Sequence, residues 1–229
     1  NIVKNRNQNA VFGQSNDVSN NTINSLINGL SNKVNESEQT FVTGNTNTSI
    51  NSDNSILYGI TNKSNDSSNN SIGGESNDIS NNTINSLING LSNKVNESVQ
   101  TFITGNANTS KKNVNSIISG ESNTLNNGSN NTIVGKSNDI SNNINSIISG
   151  LSNKSHNNNQ NAVFGQSNDI SNNTNSIISG LTNTLLNDNQ SFFIGENIKS
   201  NTTISSSIQG YDISSNSNYY SNFSGKKHV

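Results

Sequence analysis

Glycine recurs along this chain at an almost fixed interval, and this period constrains the fold more than any other feature. Successive repeat glycines lie fifteen residues apart, with two intervals of sixteen. We count positions within a repeat from its glycine, which is position 0. A period sustained in this way is the signature of a repeat architecture. The repeat glycines are Gly13, Gly29, Gly44, Gly59, Gly74, Gly90, Gly105, Gly120, Gly135, Gly150, Gly165, Gly180, Gly195, Gly210 and Gly225.

Three further positions hold one type of side chain through most of the repeats. Position −4 is always Ser, Thr or Asn, and position +3 is Asn in every repeat from Asn16 to Asn183. Position −2 is always apolar, and its β-branched surroundings followed by Gly are typical of short strands rather than helices. The apolar column is Val11, Ile27, Val42, Leu57, Ile72, Ile88, Ile103, Ile118, Ile133, Ile148, Val163, Ile178, Phe193, Ile208 and Phe223.

The repeat predicts an all-β fold, a parallel β-solenoid or β-roll of about fifteen 15-residue coils. Hydrophobic residues are 27% of the chain, below the roughly 45–50% of a globular domain, and a narrow coil needs few of them. Residues 1–8 are expected to form an N-terminal cap or lead-in, 9–225 the repeat rod and 226–229 a C-terminal tail. We place the extra residue of the two sixteen-residue coils at Ile23 and Ile84, where a neighbouring residue would serve equally well.

Strand alternation assigns faces to the predicted strands. Positions −4 and −2 point the same way and are predicted to face inward, so positions −5, −3 and −1 face outward. The Asn column at position +3 is expected at a turn, because Asn tolerates the left-handed region, and its amides are expected to stack from coil to coil. Gly is expected where a Cβ would clash or where φ is positive.

Position −3 then carries an apolar stripe on the outside of the rod. Contiguous exposed apolar surface of this length is typical of an interaction site, so we predict an oligomer or ligand interface here and a chain that associates with itself as a trimer. The predicted interface residues are Leu26, Phe41, Ile56, Leu87, Phe102, Ile117, Ile147, Ile177 and Phe192.

Several segments resemble the head repeats of YadA-type trimeric autotransporter adhesins. These segments read NAVFGQSNDIS, NSIISGESNTL and NTIVGKSNDI, and the resemblance extends from about Asn9 to Gly225. It implies a left-handed parallel β-roll, assembly of three chains, a bacterial cell surface and binding to host matrix or other cells. The chain departs from the family in its period, which is nearer fourteen residues there, and at position −2, where the family usually has Ala.

Chemistry-bearing residues are sparse, and we predict no catalytic, cofactor-binding or metal-binding residue and no enzyme. Charged residues are 11% of the chain with a net charge of −2, which argues against a nucleic-acid partner, and the absence of Cys excludes disulfides and thiolate sites. No stretch approaches the roughly 20 apolar residues of a membrane-spanning helix. His156 and His228 are expected to be solvated.

Acidic and basic residues alternate at position +4, where we expect surface ion pairs rather than a calcium site. The acidic members are Asp17, Asp78, Asp139 and Asp169, and the basic ones are Lys33, Lys63, Lys94 and Lys154.

These features together favour a structural or adhesive extracellular fibre segment at a cell surface, which spaces or presents a binding surface. Residues 15–49 and 76–110 are identical at 31 of 35 positions, which suggests growth by copying blocks of four coils. Three alternatives stay open: an ice-binding β-solenoid, the shaft of a viral fibre on a virion surface, and a carbohydrate-active right-handed β-helix. The last of these has longer coils and clustered acidic residues, and this sequence has neither. The expected partners are further copies of the chain and host matrix or cell surfaces.

Overall fold

A computed structural model describes residues 1–4, 8–196, 198–202, 204, 207–211, 214–216 and 222–225. These residues form a parallel β-solenoid of about fourteen coils, and they contain no helix. The chain divides into two compact units, Asn1–Asn115 and Ser116–Val229. The predicted C-terminal tail, residues 226–229, lies outside the described residues.

Both units are built from alternating short and long strands. The strands of the first unit are β1 (Ile2–Val3), β2 (Ala10–Gln14), β3 (Asp17–Ser19), β4 (Leu26–Leu30), β5 (Lys33–Asn35), β6 (Phe41–Asn45), β7 (Thr48–Ile50), β8 (Ile56–Ile60), β9 (Lys63–Asn65), β10 (Ser71–Glu75), β11 (Asp78–Ser80), β12 (Leu87–Leu91), β13 (Lys94–Asn96), β14 (Phe102–Asn106) and β15 (Thr109–Lys111). Those of the second unit are β16 (Ile117–Glu121), β17 (Thr124–Asn126), β18 (Thr132–Lys136), β19 (Asp139–Ser141), β20 (Ile147–Leu151), β21 (Lys154–His156), β22 (Ala162–Gln166), β23 (Asp169–Ser171), β24 (Ile177–Leu181), β25 (Thr184–Leu186), β26 (Phe192–Glu196), β27 (Lys199–Asn201), β28 (Ser207–Tyr211), β29 (Ser214–Asn216) and β30 (Asn222–Gly225).

Strands of one kind pair only with the same kind in neighbouring coils, and all pairs are parallel. Within each unit the even-numbered long strands form one sheet and the odd-numbered short strands form another. The register keeps equivalent positions opposite each other, as where Gly135 pairs with Gly150 in β18 and β20. A row of isolated parallel bridges at position +9 makes the third side of a coil, for example Ile144 with Asn159. The predicted all-β solenoid is confirmed.

Three non-glycine residues with positive φ turn the chain in each regular coil. They lie at positions +2, +7 and −5, as at Ser152, Asn157 and Gln160, where φ is 55°, 54° and 55°. The prediction that the Asn of position +3 occupies a left-handed turn is therefore wrong by one residue. Ser, Thr or Ala at position +2 adopts that conformation, and the following Asn, such as Asn153, points into the interior and is buried.

The two sixteen-residue coils take their extra residue at the second turn. Ile23 pairs with Glu38 across the bridge row, so it occupies the regular position +9. Both Asn20 and Asn21 have positive φ, 43° and 55°, where a regular coil has a single such residue. The same pattern recurs with Ile84. The placement of the extra residues at Ile23 and Ile84 is therefore wrong, and the Asn-Asn pairs before them accommodate the longer coils.

Apolar and small polar side chains alternate in the interior, as predicted for positions −2 and −4. The apolar column at −2 is fully buried from Ile27 to Ile208, while Val11 in the first coil is half-buried. Position +5 also points inward and holds either an apolar residue or Ser. Where it holds Ser, the residue at position +8 of the preceding coil supplies a hydrogen-bond partner: Ser64 Oγ donates to Ser52 Oγ at 3.1 Å. This pairing gives each buried hydroxyl a hydrogen-bond partner, and without one its burial would lower the stability of the fold.

The buried Asn column joins successive coils. In the second unit its amides form a ladder from Asn123 to Asn183, and in the first unit the backbone N–H groups of Asn47 and Asn62 donate to the preceding Asn Oδ1 in place of the side-chain amides. Asn153 donates from Nδ2 to Asn138 Oδ1 at 3.0 Å and to the carbonyl oxygen of Gly165 at 3.0 Å. Its own Oδ1 accepts from Nδ2 of Asn168 at 2.9 Å and from the backbone N–H of Asn168 at 3.1 Å. The predicted stacking of the amides is thus confirmed, and the ladder ties each coil to both neighbours.

Candidate functional site

The predicted interface residues lie together on the outer surface of the long strands. We call this surface the long-strand face and define it as the side chains at positions −3, −1 and +1 of the five-residue strands. All nine predicted residues belong to it and are between 36% and 48% exposed. Register places them opposite one another, since Phe41 pairs with both Leu26 and Ile56. The structure therefore confirms their outward placement, and their role as an interface stays a prediction.

Where the residue at position −3 is small, the residue at position −1 is large and apolar and fills the face. This contribution of position −1 was not predicted from the sequence. Coils with Ala10 or Ala162 at position −3 carry Phe12 or Phe164 two residues later, and these rings are 59% and 40% exposed. The coil containing Thr132 likewise carries Val134, which is 44% exposed. This reciprocal change of size between two positions on one face is visible in the sequence and could have revealed them.

The coil that contains β10 lacks a large apolar residue on this face, and the preceding coil covers the gap. The strand β10 has Ser71 at position −3 and Gly73 at position −1. A Cβ built on Gly73 would lie 2.0 Å from Cζ of Tyr58, so the Tyr58 ring of the preceding coil occupies the space above this glycine. An apolar or aromatic surface thus continues along the long-strand face of the first unit.

Position +1 adds further apolar side chains along the same face. The large apolar residues of the face in the first unit are Phe12, Leu26, Leu30, Phe41, Ile56, Tyr58, Ile60, Leu87, Leu91 and Phe102, which are 36–59% exposed. Those of the second unit include Ile117, Val134, Ile147, Leu151, Phe164, Ile177, Leu181, Phe192 and Ile194, which are 37–48% exposed.

Charge is almost excluded from the long-strand face. No charged residue occurs at position −3 or −1 of any repeat in the sequence. Glu75, Glu121, Lys136 and Glu196 lie at its margin, at position +1, and Lys136 Nζ lies 3.1 Å from Glu121 Oε2. The short-strand side, by contrast, carries the alternating Asp and Lys column of position +4. The segregation leaves positions −3 and −1 of the face uncharged and largely apolar, which is the pattern of the central part of a protein interface.

The predicted ion pairs within the position +4 column are not formed. Register does bring Asp78 opposite Lys63 and Lys94 in neighbouring coils. Among the described residues, the salt bridges are instead Lys136–Glu121 and Lys112–Glu97, the latter with 3.8 Å between Nζ and Oε2. Exposed pairs of this kind are worth only about 0–1 kcal/mol, so solvation of the lysine competes easily with pairing.

The histidines and carboxylates do not converge on a centre. Among the described residues no group of three or more His, Cys, Asp or Glu side chains could hold a metal ion. The His156 ring is half-buried, with Nδ1 2.5 Å from Ser141 Oγ in the adjacent coil. His228 lies outside the described residues. No helix in the described ranges is long and apolar enough to cross a membrane.

A second apolar row lies at position +9 and is interrupted by polar residues. Ile84, Val99 and Val114 follow one another in the first unit, and Val114 is 41% exposed. Glu38 and Asp53 occupy the same position in preceding coils. The sequence reasoning did not identify this row, and its interruptions distinguish it from the long-strand face.

Comparison with known proteins gives no family for the chain. No protein-family model matches it, and no curated protein matches it. Among solved structures, the polySia-specific acetyltransferase NeuO aligns at 11% identity, covering 76% of this chain and 79% of that one, with a TM-score of 0.16. A TM-score this low carries no argument about fold or activity.

Proposed function

We propose that the chain is a structural and adhesive segment of an extracellular fibre, a spacer of stacked coils that presents the long-strand face as its binding surface. Self-association through this face belongs to this proposal. The observation that carries it is the exposed apolar surface of the long strands, which has no charged residue at positions −3 and −1 in either unit. Exposed apolar surface of this extent is typical of interaction sites.

The role as a spacer is supported by the way each coil is stabilised. The Asn ladder and the strand ladders join each coil to the next with the same bonds, so a block of coils can be added or removed without leaving unsatisfied groups in its interior. The near-identity of residues 15–49 and 76–110 shows that this sequence contains such a copied block. Nearest-neighbour stabilisation of this kind is general in repeat proteins.

A location at a cell surface, with host matrix or other cells as partners, is supported by the resemblance of the repeats to YadA-type adhesin heads. The alternative of a viral fibre shaft would use the same face for binding. It differs from the adhesin proposal in that the fibre is attached to a virion and not to a cell. Ice binding is less favoured, because the outward columns mix aromatic, aliphatic, amide and hydroxyl side chains and offer no regular lattice to water.

Removing one block tests the spacer role. Deletion of residues 15–75 joins Gln14 to Ser76, which occupies the position of Ser15 in its own repeat, so every column stays in register. We expect a folded chain with unchanged far-UV circular dichroism per residue, a cooperative thermal transition and a smaller hydrodynamic radius.

A deletion of residues 19–75 is the control, because it joins Val18 to Ser76 and shifts the columns by four residues. This control is expected to lose β structure. If the in-register deletion unfolds as completely as the out-of-register one, the coils are not interchangeable units and the spacer role fails.

A further inference from the structure

We propose that the long-strand face packs against the same face of a second copy of this chain. The inference deepens the proposed function and rests on it only in taking this face as the binding surface. Three properties of the face support a second copy as its occupant: the apolar area that it exposes, the absence of charge from its positions −3 and −1, and its periodic spacing.

The apolar area of the face is sufficient for a stable pair. An aromatic side chain that is about 40% exposed shows roughly 60–100 Å². Ten large apolar side chains in the first unit, with aliphatic ones contributing somewhat less each, therefore expose on the order of 600 Å². A standard interface buries about 800 Å² per partner, of which about 57% is non-polar. The exposed apolar area of the face in the first unit alone is as large as the non-polar part of such an interface. The second unit exposes a similar number of large apolar side chains.

The spacing of the face matches that of another copy. Outward side chains of neighbouring coils lie one strand spacing apart, about 4.8 Å. Rows with the same period can interdigitate along their whole length, whereas a partner without that period meets only a few side chains. Ala162 illustrates the fit, since it leaves a shallow notch between Ile147 and Ile177, flanked by Asn145 and Asn175. A large side chain from the opposite face can enter this notch.

The placement of the stripe on one face favours two copies over the predicted trimer. A two-fold pair buries one self-complementary face of each copy as a whole, whereas around a three-fold axis each copy divides that face between two neighbours. The second apolar row, at position +9, is broken by Glu38 and Asp53. Among the described residues, the long-strand face is the continuous apolar surface, and its positions −3 and −1 carry no charge.

Sedimentation equilibrium of the full chain tests the pairing. We expect an assembly of twice the 24.4 kDa chain mass at micromolar concentration, and the double variant Ile147→Glu/Ile177→Glu is expected to weaken association by roughly tenfold or more. The matched control, Thr184→Glu/Asn201→Glu, adds the same charge at exposed positions of the short strands and is expected to leave association unchanged.

A second variant distinguishes a loss of association from a loss of folding. Ile147→Thr/Ile177→Thr places at position −3 the residue that Thr132 already provides in β18, so its far-UV circular dichroism should match that of the wild type while its association weakens. A monomeric wild type, a three-fold mass, or equal effects of the face and control variants would each overturn the pairing. None of these outcomes alters the result expected from the block deletion, so the spacer role can survive them.

Discussion

Replacing Gly150 with Ala is expected to lower the free energy of unfolding by about 3–5 kcal/mol. The φ angle of Gly150 is +131°, a conformation that L residues rarely adopt, and a Cβ here would lie 1.8 Å from the carbonyl oxygen of Gly165 in the next coil. That oxygen also accepts the Nδ2 hydrogen bond of Asn153, so it cannot move without disturbing the amide ladder. Urea denaturation followed by circular dichroism measures the loss.

Gly128→Ser is the matched control for this substitution. Gly128 lies outside the repeat-glycine column, and the atom nearest to its built Cβ, at 2.4 Å, belongs to the side chain of Asn131. The chain already combines Ser67 and Asn70 at the equivalent two positions. We therefore expect a change within about 1 kcal/mol. Equal losses for Gly150→Ala and Gly128→Ser would show that the repeat glycines are not held by backbone geometry.

Replacing Asn153 with Leu is expected to cost about 3–5 kcal/mol, because each buried polar group left without a partner costs roughly 1–3 kcal/mol. The substitution removes the acceptor for the backbone N–H of Asn168 and the donor to Asn138 Oδ1 and to the carbonyl oxygen of Gly165. All these groups lie inside the solenoid, where water cannot easily replace the lost bonds. Chemical denaturation of the purified variant gives the change in unfolding free energy.

Asn159→Ala is the corresponding control in the same coil. Asn159 is exposed on the bridge row, and its loss should change stability by less than about 0.5 kcal/mol. If Asn153→Leu proves as mild as Asn159→Ala, the amide ladder does not stabilise the coils and the polar interior needs another explanation.

The sequence was sufficient to predict the solenoid because position determines environment in a repeat. Each environment in the coil occurs at one fixed position of the repeat, so the period reveals them together. These environments are the glycines where a Cβ would clash and φ is positive, the buried apolar column and the small polar column. The stacking of Asn16 to Asn183 was predictable for the same reason. These columns depend on contacts between equivalent residues, which the period itself specifies.

Turn geometry was less predictable, because the interior overrides local preference. Asn favours the left-handed region, yet Ser152 adopts it and Asn153 points inward, since the ladder needs the amide there. The extra residue of the long coils was misplaced for a similar reason. Asn-Asn also occurs in the regular coil at Asn142 and Asn143, where Asn143 is buried, so the dipeptide alone does not identify an added turn residue.

The candidate face was predicted in part. Position −3 is apolar often enough to be recognised as a stripe, whereas Phe12, Val134 and Phe164 belong to a position whose residue types vary. Their contribution depends on which neighbours are small, and this becomes clear only when both positions are placed on one surface. The covering of Gly73 by Tyr58 required coordinates, because it involves residues in different coils.

Burial of the long-strand face in the assembled protein is tested most directly by labelling a single thiol. The chain has no Cys, so Ser149→Cys creates one reactive group on this face and Thr184→Cys creates one on the short-strand side. The thiol at position 149 should react more slowly with a maleimide in concentrated protein than in dilute protein, while the thiol at position 184 reacts equally in both. Equal reactivity of the thiol at position 149 at the two concentrations, or slowing confined to position 184, would contradict the assignment of this face as the surface that binds.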